Sequence, residues 1–267
     1  MKKRTLLLWA AAPFFLLAPG HASRGQKAKF AGRNIAHRGL HTKDKTVPEN
    51  SLRAFALAVG NGYGIELDVR LSADGQVVVF HDDTLKRVCG VDKRVDELTY
   101  AELKELPLAG NEEDHIPLFV DVFEVVRGKV PMIVELKDGK RNRELCEKTY
   151  ALLQTYRGDY CIESFNPLIV AWFRMHASEV LRGQLATVPE NYTEQKPWLG
   201  FLLGNCLFNV LARPQFIAYD IVKKPFPVKI AEKMGVLRVC WTSHEQANEE
   251  NNDVVIFEYY RPKQRFR

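Results

Sequence analysis

A closed parallel barrel of the (β/α)8 type is the fold this chain predicts, on three observations. Eight or nine short apolar runs rich in β-branched residues recur along its 267 residues, as strands would. Segments of helical periodicity separate most of them, which is the alternation of a parallel α/β domain. The composition, 46% hydrophobic and 27% charged, is that of a folded globular domain and excludes a disordered, collagenous or polytopic membrane chain.

The elements follow in order. Lys2-Lys3-Arg4 precedes the apolar run Leu6 to Ala18 and the small residues Gly20 and Ala22. Residues 1–22 therefore read as a signal peptide or signal anchor, since the apolar run falls short of the roughly 20 residues that span a bilayer. Basic residues flank the run on both sides, so orientation stays open, and the expected location is the cell envelope or the exterior. Residues 23–33 form a basic linker, and the barrel is expected over 34–260. Expected strands are 34–37, 64–69, 77–81, 131–137, 160–164, 182–185, 216–219, 237–241 and 254–257. Expected helices are 51–59, 100–106, 118–126, 143–156, 167–176 and 228–234. The second and third strands are joined through Ala73-Asp74-Gly75, too short for a crossover, and should form a hairpin. Residues 197–211, apolar almost all round, read either as a core helix or as a short helix that covers the mouth or touches a bilayer. The basic residues 261–267 read as a solvated tail.

Net charge is +5, with the basic residues scattered and no aromatic–basic interleaving, which argues against nucleic acid as a partner. Five cysteines at wide spacing, with no CxxC pair, argue against structural zinc and a disulfide framework. Cys161 and Cys240 sit in apolar runs and read as buried thiols.

Residues with chemistry collect at strand ends. Glu66 and Asp68, two apart on one strand, share a face, and Glu135 and Lys137 repeat that spacing. Three carboxylates at the barrel's C-terminal rim offer hard oxygen ligands suited to Mg2+ or Ca2+, although Glu135 with Lys137 also reads as a plain ion pair. His37 and His81 end two strands beside this cluster, as a general acid and base would. Arg38 presents a planar fork that suits two phosphate oxygens. His41, His115, His176 and His244 lack this context and read as surface or loop residues.

The segments His37-Arg38-Gly39, Pro48-Glu49-Asn50-Ser51, Gly64-Ile65-Glu66-Leu67-Asp68-Val69 and Val78-Val79-Phe80-His81-Asp82 resemble the signature of the glycerophosphodiester phosphodiesterase family. Val134-Glu135-Leu136-Lys137, Glu163-Ser164-Phe165-Asn166 and Trp241-Thr242 extend the resemblance more loosely. It implies a barrel with a small insertion, here within about 82–117, and hydrolysis of glycerophosphodiesters to glycerol 3-phosphate and an alcohol. It also implies metal ligation by Glu66, Asp68 and Glu135, and acid–base catalysis by His37 and His81. Substrate contacts would come from Arg38, Lys137, Glu49 and Trp241. Ser243-His244 and the apolar stretch within 190–213 depart from the family pattern and leave the alcohol open. Competing readings on the same barrel are a lysophospholipase D-type headgroup hydrolase at a membrane, touching it through 1–20 and 197–211, and a non-catalytic binder of phosphate esters or lipids.

Overall fold

The computed structural model describes residues 15–267. Eight parallel strands close a barrel: β1 (Arg33–Ala36), β2 (Gly64–Leu71), β6 (Met132–Leu136), β7 (Tyr160–Ser164), β8 (Leu181–Ala186), β9 (Phe216–Asp220), β10 (Leu237–Ser243) and β11 (Val254–Phe257). Neighbours pair in that order, β11 pairs with β1, and the fold class is the (β/α)8 barrel.

Strand alternation sorts the residues into two layers. Ile65, Leu67 and Val69 of β2 and Met132, Val134 and Leu136 of β6 face outward, where Phe55, Phe119, Phe123 and Phe173 of the helices cover them. Ile133, Cys161, Leu185, Phe216, Val239 and Ile256 face inward and fill the barrel. Gly183 is required there, because a Cβ would lie 2.0 Å from the Phe216 ring. By the same alternation Glu66, Asp68 and Glu135 point inward, above that apolar floor.

The expected hairpin is present: β3 (Val77–Val79) runs antiparallel to β2, with Leu71 opposite Val77. Beyond it the chain makes α3 (Lys86–Cys89), α4 (Tyr100–Leu103) and the ribbon β4 (Pro107–Leu108)–β5 (Asn111–His115). These pieces share a small core of their own around Phe80, Leu85, Val95, Leu103 and Ile116. The outer helices are α2 (Leu52–Gly60), α5 (Phe119–Val126), α6 (Asn142–Thr155), α7 (Pro167–His176) and α10 (Phe226–Lys233). α2 starts at Ser51, whose hydroxyl accepts from the Ala54 amide, and α7 at Asn166 followed by Pro167.

Two segments, at the chain's ends, depart from the sequence reading. The supposed linker contains α1 (Arg24–Ala28), started by a capping box at Ser23. Ala22 and Phe30 on either side of it are buried in the barrel-interior cluster and stopper its base. The basic tail is docked by its backbone while its charged residues stay exposed: Arg265 forms an antiparallel backbone bridge with Arg33, the Phe266 amide donates to the Gly32 carbonyl, and Arg267 pairs with Asp253. Residues 197–211 form α8 (Pro197–Gly204) and lead into α9 (Asn209–Ala212), which packs on α7, so that the segment supplies the crossover from β8 to β9. Of the leader, residues 1–14 lie outside the described residues. Among the described residues no helix is long and apolar enough to cross a membrane.

Candidate active site

The inward residues at the C-terminal ends of the strands line a cavity of about 120 Å3 bounded by His37, Arg38, Glu66, His81, Glu135 and Glu163 on one side and Phe165, Leu185, Trp241 and Ile256 on the other. Register places the acids side by side: Asp68 lies opposite Glu135, and Glu135 opposite Glu163. Oxygens of Glu66, Asp68 and Glu135 all lie within 4.8 Å of one another, and all three residues are buried.

Nearby cations offset only part of this charge. Lys137 Nζ stands 2.7 Å from Glu135 and 3.3 Å from Asp68, so the plain ion-pair reading of Glu135 and the cluster reading are both realised. Burial opposes ionisation of Asp68, but Lys137, His81 and Arg38 outweigh it and hold the carboxyl well below the usual range. Glu66 is pushed well above its usual range by burial and by the charges of Asp68, Glu135 and Glu163. Glu163 moves the same way, from burial first and then from Glu135 and Asp68.

A hard divalent cation fits these residues. The donors are oxygens only, and Asp68 Oδ1 and Glu163 Oε2 are buried without an aligned hydrogen-bond donor. Backbone geometry has already turned the loops toward them. Arg38 adopts φ 51° and points its amide at Glu66 Oε2, 2.8 Å away. Asn50, at φ 57°, donates its side-chain amide to Asp68 Oδ2 at 2.8 Å. Left-handed backbone at two non-glycine residues costs energy, and here both instances hold the acid cluster in place.

Each histidine is backed by a carboxylate. His37 Nδ1 lies 3.1 Å from Glu258 Oε1, and His81 Nδ1 lies 2.6 Å from Asp82 Oδ1. In both, the other ring nitrogen, Nε2, is left to act on a ligand. Burial lowers the His37 pKa, against the pull of Glu258. Arg38 donates to Glu49 at 2.8 Å, and Arg87 clamps Glu49 and Asp82 together. Burial works against the Glu49 charge, but Arg87 and Arg38 bring its pKa down to about 2. Trp241 is fixed by its Nε1–H donating to the Ala218 carbonyl and by an edge-on contact with Phe165 at 5.4 Å.

All nine residues singled out in the sequence thus meet at one mouth, with Glu49 at its edge. Five further residues belong with them. Glu258 follows β11 and Glu163 ends β7, so a strand-end carboxylate was the available signal for both. Asp82 lay in the same signature segment as His81 with no role assigned, and Arg87 left only proximity to His81 as a trace. His41 is a correction: it is no surface residue but buried, with Nε2 3.0 Å from the Glu258 oxygen that His37 also uses. Its isolation in the sequence concealed a pairing made across the closing β11–β1 seam.

The model of the glycerophosphoryl diester phosphodiesterase family matches residues 37–259. The chain belongs to that family. A glycerophosphodiester phosphodiesterase of Caldanaerobacter subterraneus is 39% identical over 115 residues, covering 39% of this chain and 45% of that protein. Human lysophospholipase D GDPD1 is 31% identical over 171 residues, 58% of this chain and 52% of the relative. The matches thus span about half the length of these curated relatives. The crystal structure of a Thermotoga maritima glycerophosphodiester phosphodiesterase matches with a TM-score of 0.63 and 28% identity over 84% of this chain and 93% of that one. An Oleispira antarctica phosphodiesterase in complex with sn-glycerol-3-phosphate superposes with a TM-score of 0.71 over 87% of this chain and 94% of that one; at 23% identity it speaks for the fold alone.

Proposed function

We propose that this family member hydrolyses glycerophosphodiesters to glycerol 3-phosphate and an alcohol, with a divalent cation, Mg2+ or Ca2+, held by Glu66, Asp68 and Glu135. The observation that carries this reading is the convergence of two carboxylate-backed histidines on the same buried acid cluster. A degenerate binding barrel has no use for both histidines. Such a cation would supply charge neutralisation on a phosphoryl oxygen.

The chain's own residues do the rest. Arg38 and Lys137 bind the non-bridging phosphate oxygens, in a cavity whose aromatic side keeps out water and strengthens every charge interaction. An alkoxide leaves poorly near neutral pH, so a histidine must deliver a proton to it. His37 takes this role, with Glu258 stabilising its imidazolium. His81, steadied by Asp82, accepts the proton of the nucleophile, which is water or a neighbouring glycerol hydroxyl that would give a transient cyclic phosphate. Glu49 and Trp241 border the glycerol and the alcohol.

A lysophospholipid is the second candidate substrate. The Phe165–Trp241 wall, which Tyr192 extends at 6.5 Å from Phe165, favours an acyl chain beside the phosphate. The named relatives include both kinds of enzyme. We place the protein in the cell envelope or outside the cell, on the basic and apolar pattern of residues 1–22. The deciding assay measures glycerol 3-phosphate released from glycerophosphocholine and choline released from lysophosphatidylcholine, each with and without chelator. Chelator-sensitive glycerol 3-phosphate is the expected product; no release from either substrate, with cation present, overturns the reading.

A further inference from the structure

The segment from Trp198 to Ala212 holds fifteen residues without one Asp, Glu, Lys or Arg. It packs inside out. The residues it buries are small or polar: Gly200, Gly204, Asn205, Cys206, Asn209 and Ala212. Three of its large apolar residues are turned outward, with Trp198 60%, Phe201 54% and Leu211 46% exposed, while Leu199, Leu202, Leu203, Leu207, Phe208 and Val210 are half-buried. Leu168 and Met175 on the adjoining α7 are exposed as well. Geometry enforces this orientation. A Cβ on Gly204 would lie 2.7 Å from the Pro189 nitrogen, which excludes a larger residue there, and one on Gly200 would lie a tight 3.1 Å from the Pro189 carbonyl oxygen. Exposed large apolar side chains gathered on neighbouring elements are the usual mark of an interaction site.

The occupant is indicated by what adjoins the face. Arg213, just after α9, donates to the carbonyls of Phe15 and Ala18, and its guanidinium lies 4.5 Å from the Phe15 ring centre. Asn209 donates to the Leu17 carbonyl and Gln215 to that of His21. Phe15 and Leu16 are exposed, and Phe15 is the first described residue of an apolar run that begins in the sequence at Leu6, after Lys2-Lys3-Arg4. Phe15 and Leu16 thus stand exposed beside the end of α9. A basic cluster followed by an apolar stretch too short to span suits the headgroup–acyl boundary of a membrane.

We infer that the outward face of α8 and α9, together with the exposed Phe15 and Leu16, seats on a lipid bilayer. The inner side of α8 touches Tyr192, which stacks edge-on against Phe165 of the cavity wall. Seating would thus bring the apolar side of the mouth close to the lipid. This surface is independent of the reaction proposed above.

The test uses the full chain and vesicles of phosphatidylcholine with phosphatidylglycerol, half of them carrying brominated acyl chains. The chain should co-sediment, and brominated lipid should quench part of its tryptophan emission. Trp198→Phe should remove a measurable share of that quenching. Phe201→Ser with Leu211→Ser should weaken partitioning at least about tenfold, on the scale of burying two large apolar side chains, with an unchanged melting temperature. Failure of the full chain to bind vesicles overturns the inference. So does binding that Phe201→Ser with Leu211→Ser leaves intact, since the leader alone would then be the anchor. A dimer in buffer that Phe201→Ser dissolves would assign the face to a second copy. A change of Trp198 emission in vesicle-free buffer on replacing Leu6, Leu7 and Leu8 with Ser would assign it to the leader itself.

Discussion

The mouth of the barrel has two unlike halves built on one strand pattern. On β1, β2, β6, β7 and the end of β11 the inward positions carry His37, Glu66, Asp68, Glu135, Lys137, Glu163 and Glu258. On β8, β9 and β10 the equivalent positions carry Leu185, Ala218 and Trp241, with Asp220 left at the rim. Closure of the barrel supplies the same inward alternation to both. Contiguity is what separates them: acids on adjacent strands share Lys137 and Arg38, whereas the same acids scattered around the rim would each need a counterion. The apolar half in turn withholds water from those charges and raises their mutual effect.

Removing the proton donors and acceptors of the polar half should have the largest effect. His37→Ala and His81→Ala are each expected to lower kcat by about 10²–10⁴-fold, the usual contribution of a positioned acid or base. A nitrophenyl leaving group needs no protonation and should restore the His37 variant alone. Restoration of His81→Ala instead would reverse the two roles. Restoration of neither would remove the acid assignment from both. Glu258→Gln keeps the shape of the residue behind His37 but not its charge. It should cost about 10–100-fold, as loss of a supporting carboxylate commonly does, and shift the pH profile of kcat.

Cation affinity probes the acid cluster directly. Glu66→Gln should weaken binding of Mg2+ or Ca2+ by more than the roughly 10–100-fold typical of an outer partner. Unchanged affinity by calorimetry would remove Glu66 from the site. Glu163 sharpens the point through pH. Its folded pKa is raised by burial and by Glu135 and Asp68, so above the unfolded value, about 4.3, the folded chain holds a proton that the unfolded chain has lost. Its contribution is therefore complete below that pH and lost as pH rises through the folded pKa. In chelator, the melting temperature of Glu163→Gln should overtake that of the wild type as pH rises, and saturating cation should narrow the gap. A constant difference from pH 4 to 8 would mean that Glu163 feels no such cluster.

The two halves were unequally legible in the sequence. Carboxylates two apart at the ends of β-branched runs are rare in a core, so Glu66, Asp68, Glu135 and Lys137 stood out, and with them the barrel. Glu163 lay in a segment of the family resemblance but had no role assigned, and Glu258 stood alone after its strand; what brings both to the site is a neighbour in register. His41 needed the β11–β1 closure, which no local pattern encodes. On the apolar half nothing distinguishes Phe165 or Leu185 from core, because facing a cavity and facing a packed interior call for the same residue types. The orientation of α8 was hidden for a related reason. A segment apolar all round has no moment to say which side is buried, and only the close approach of Pro189 to Gly200 and Gly204 decides it.

That inversion gives the smallest effects and a direct check on the apolar half. If α8 buries its small residues, enlarging one should hurt and shrinking an outward one should not. Gly204→Val forces a branched side chain against the Pro189 ring and the 187–192 turn, where the Tyr219 hydroxyl lies 2.8 Å from the Gly204 carbonyl and 2.9 Å from that of Thr187, sharing its one proton between them. Overpacking at such a site costs about 1–3 kcal/mol, and the disturbance should reach Tyr192 and so the cavity wall. Phe201→Ser, by contrast, changes an outward residue and should stay within about 0.5 kcal/mol of the wild type. Urea unfolding of the two variants reads both numbers on one scale. Should Phe201→Ser cost as much as a buried phenylalanine, about 3–5 kcal/mol on truncation, then α8 is ordinary core turned the other way. The outward apolar face, and the membrane seat inferred from it, would fall together.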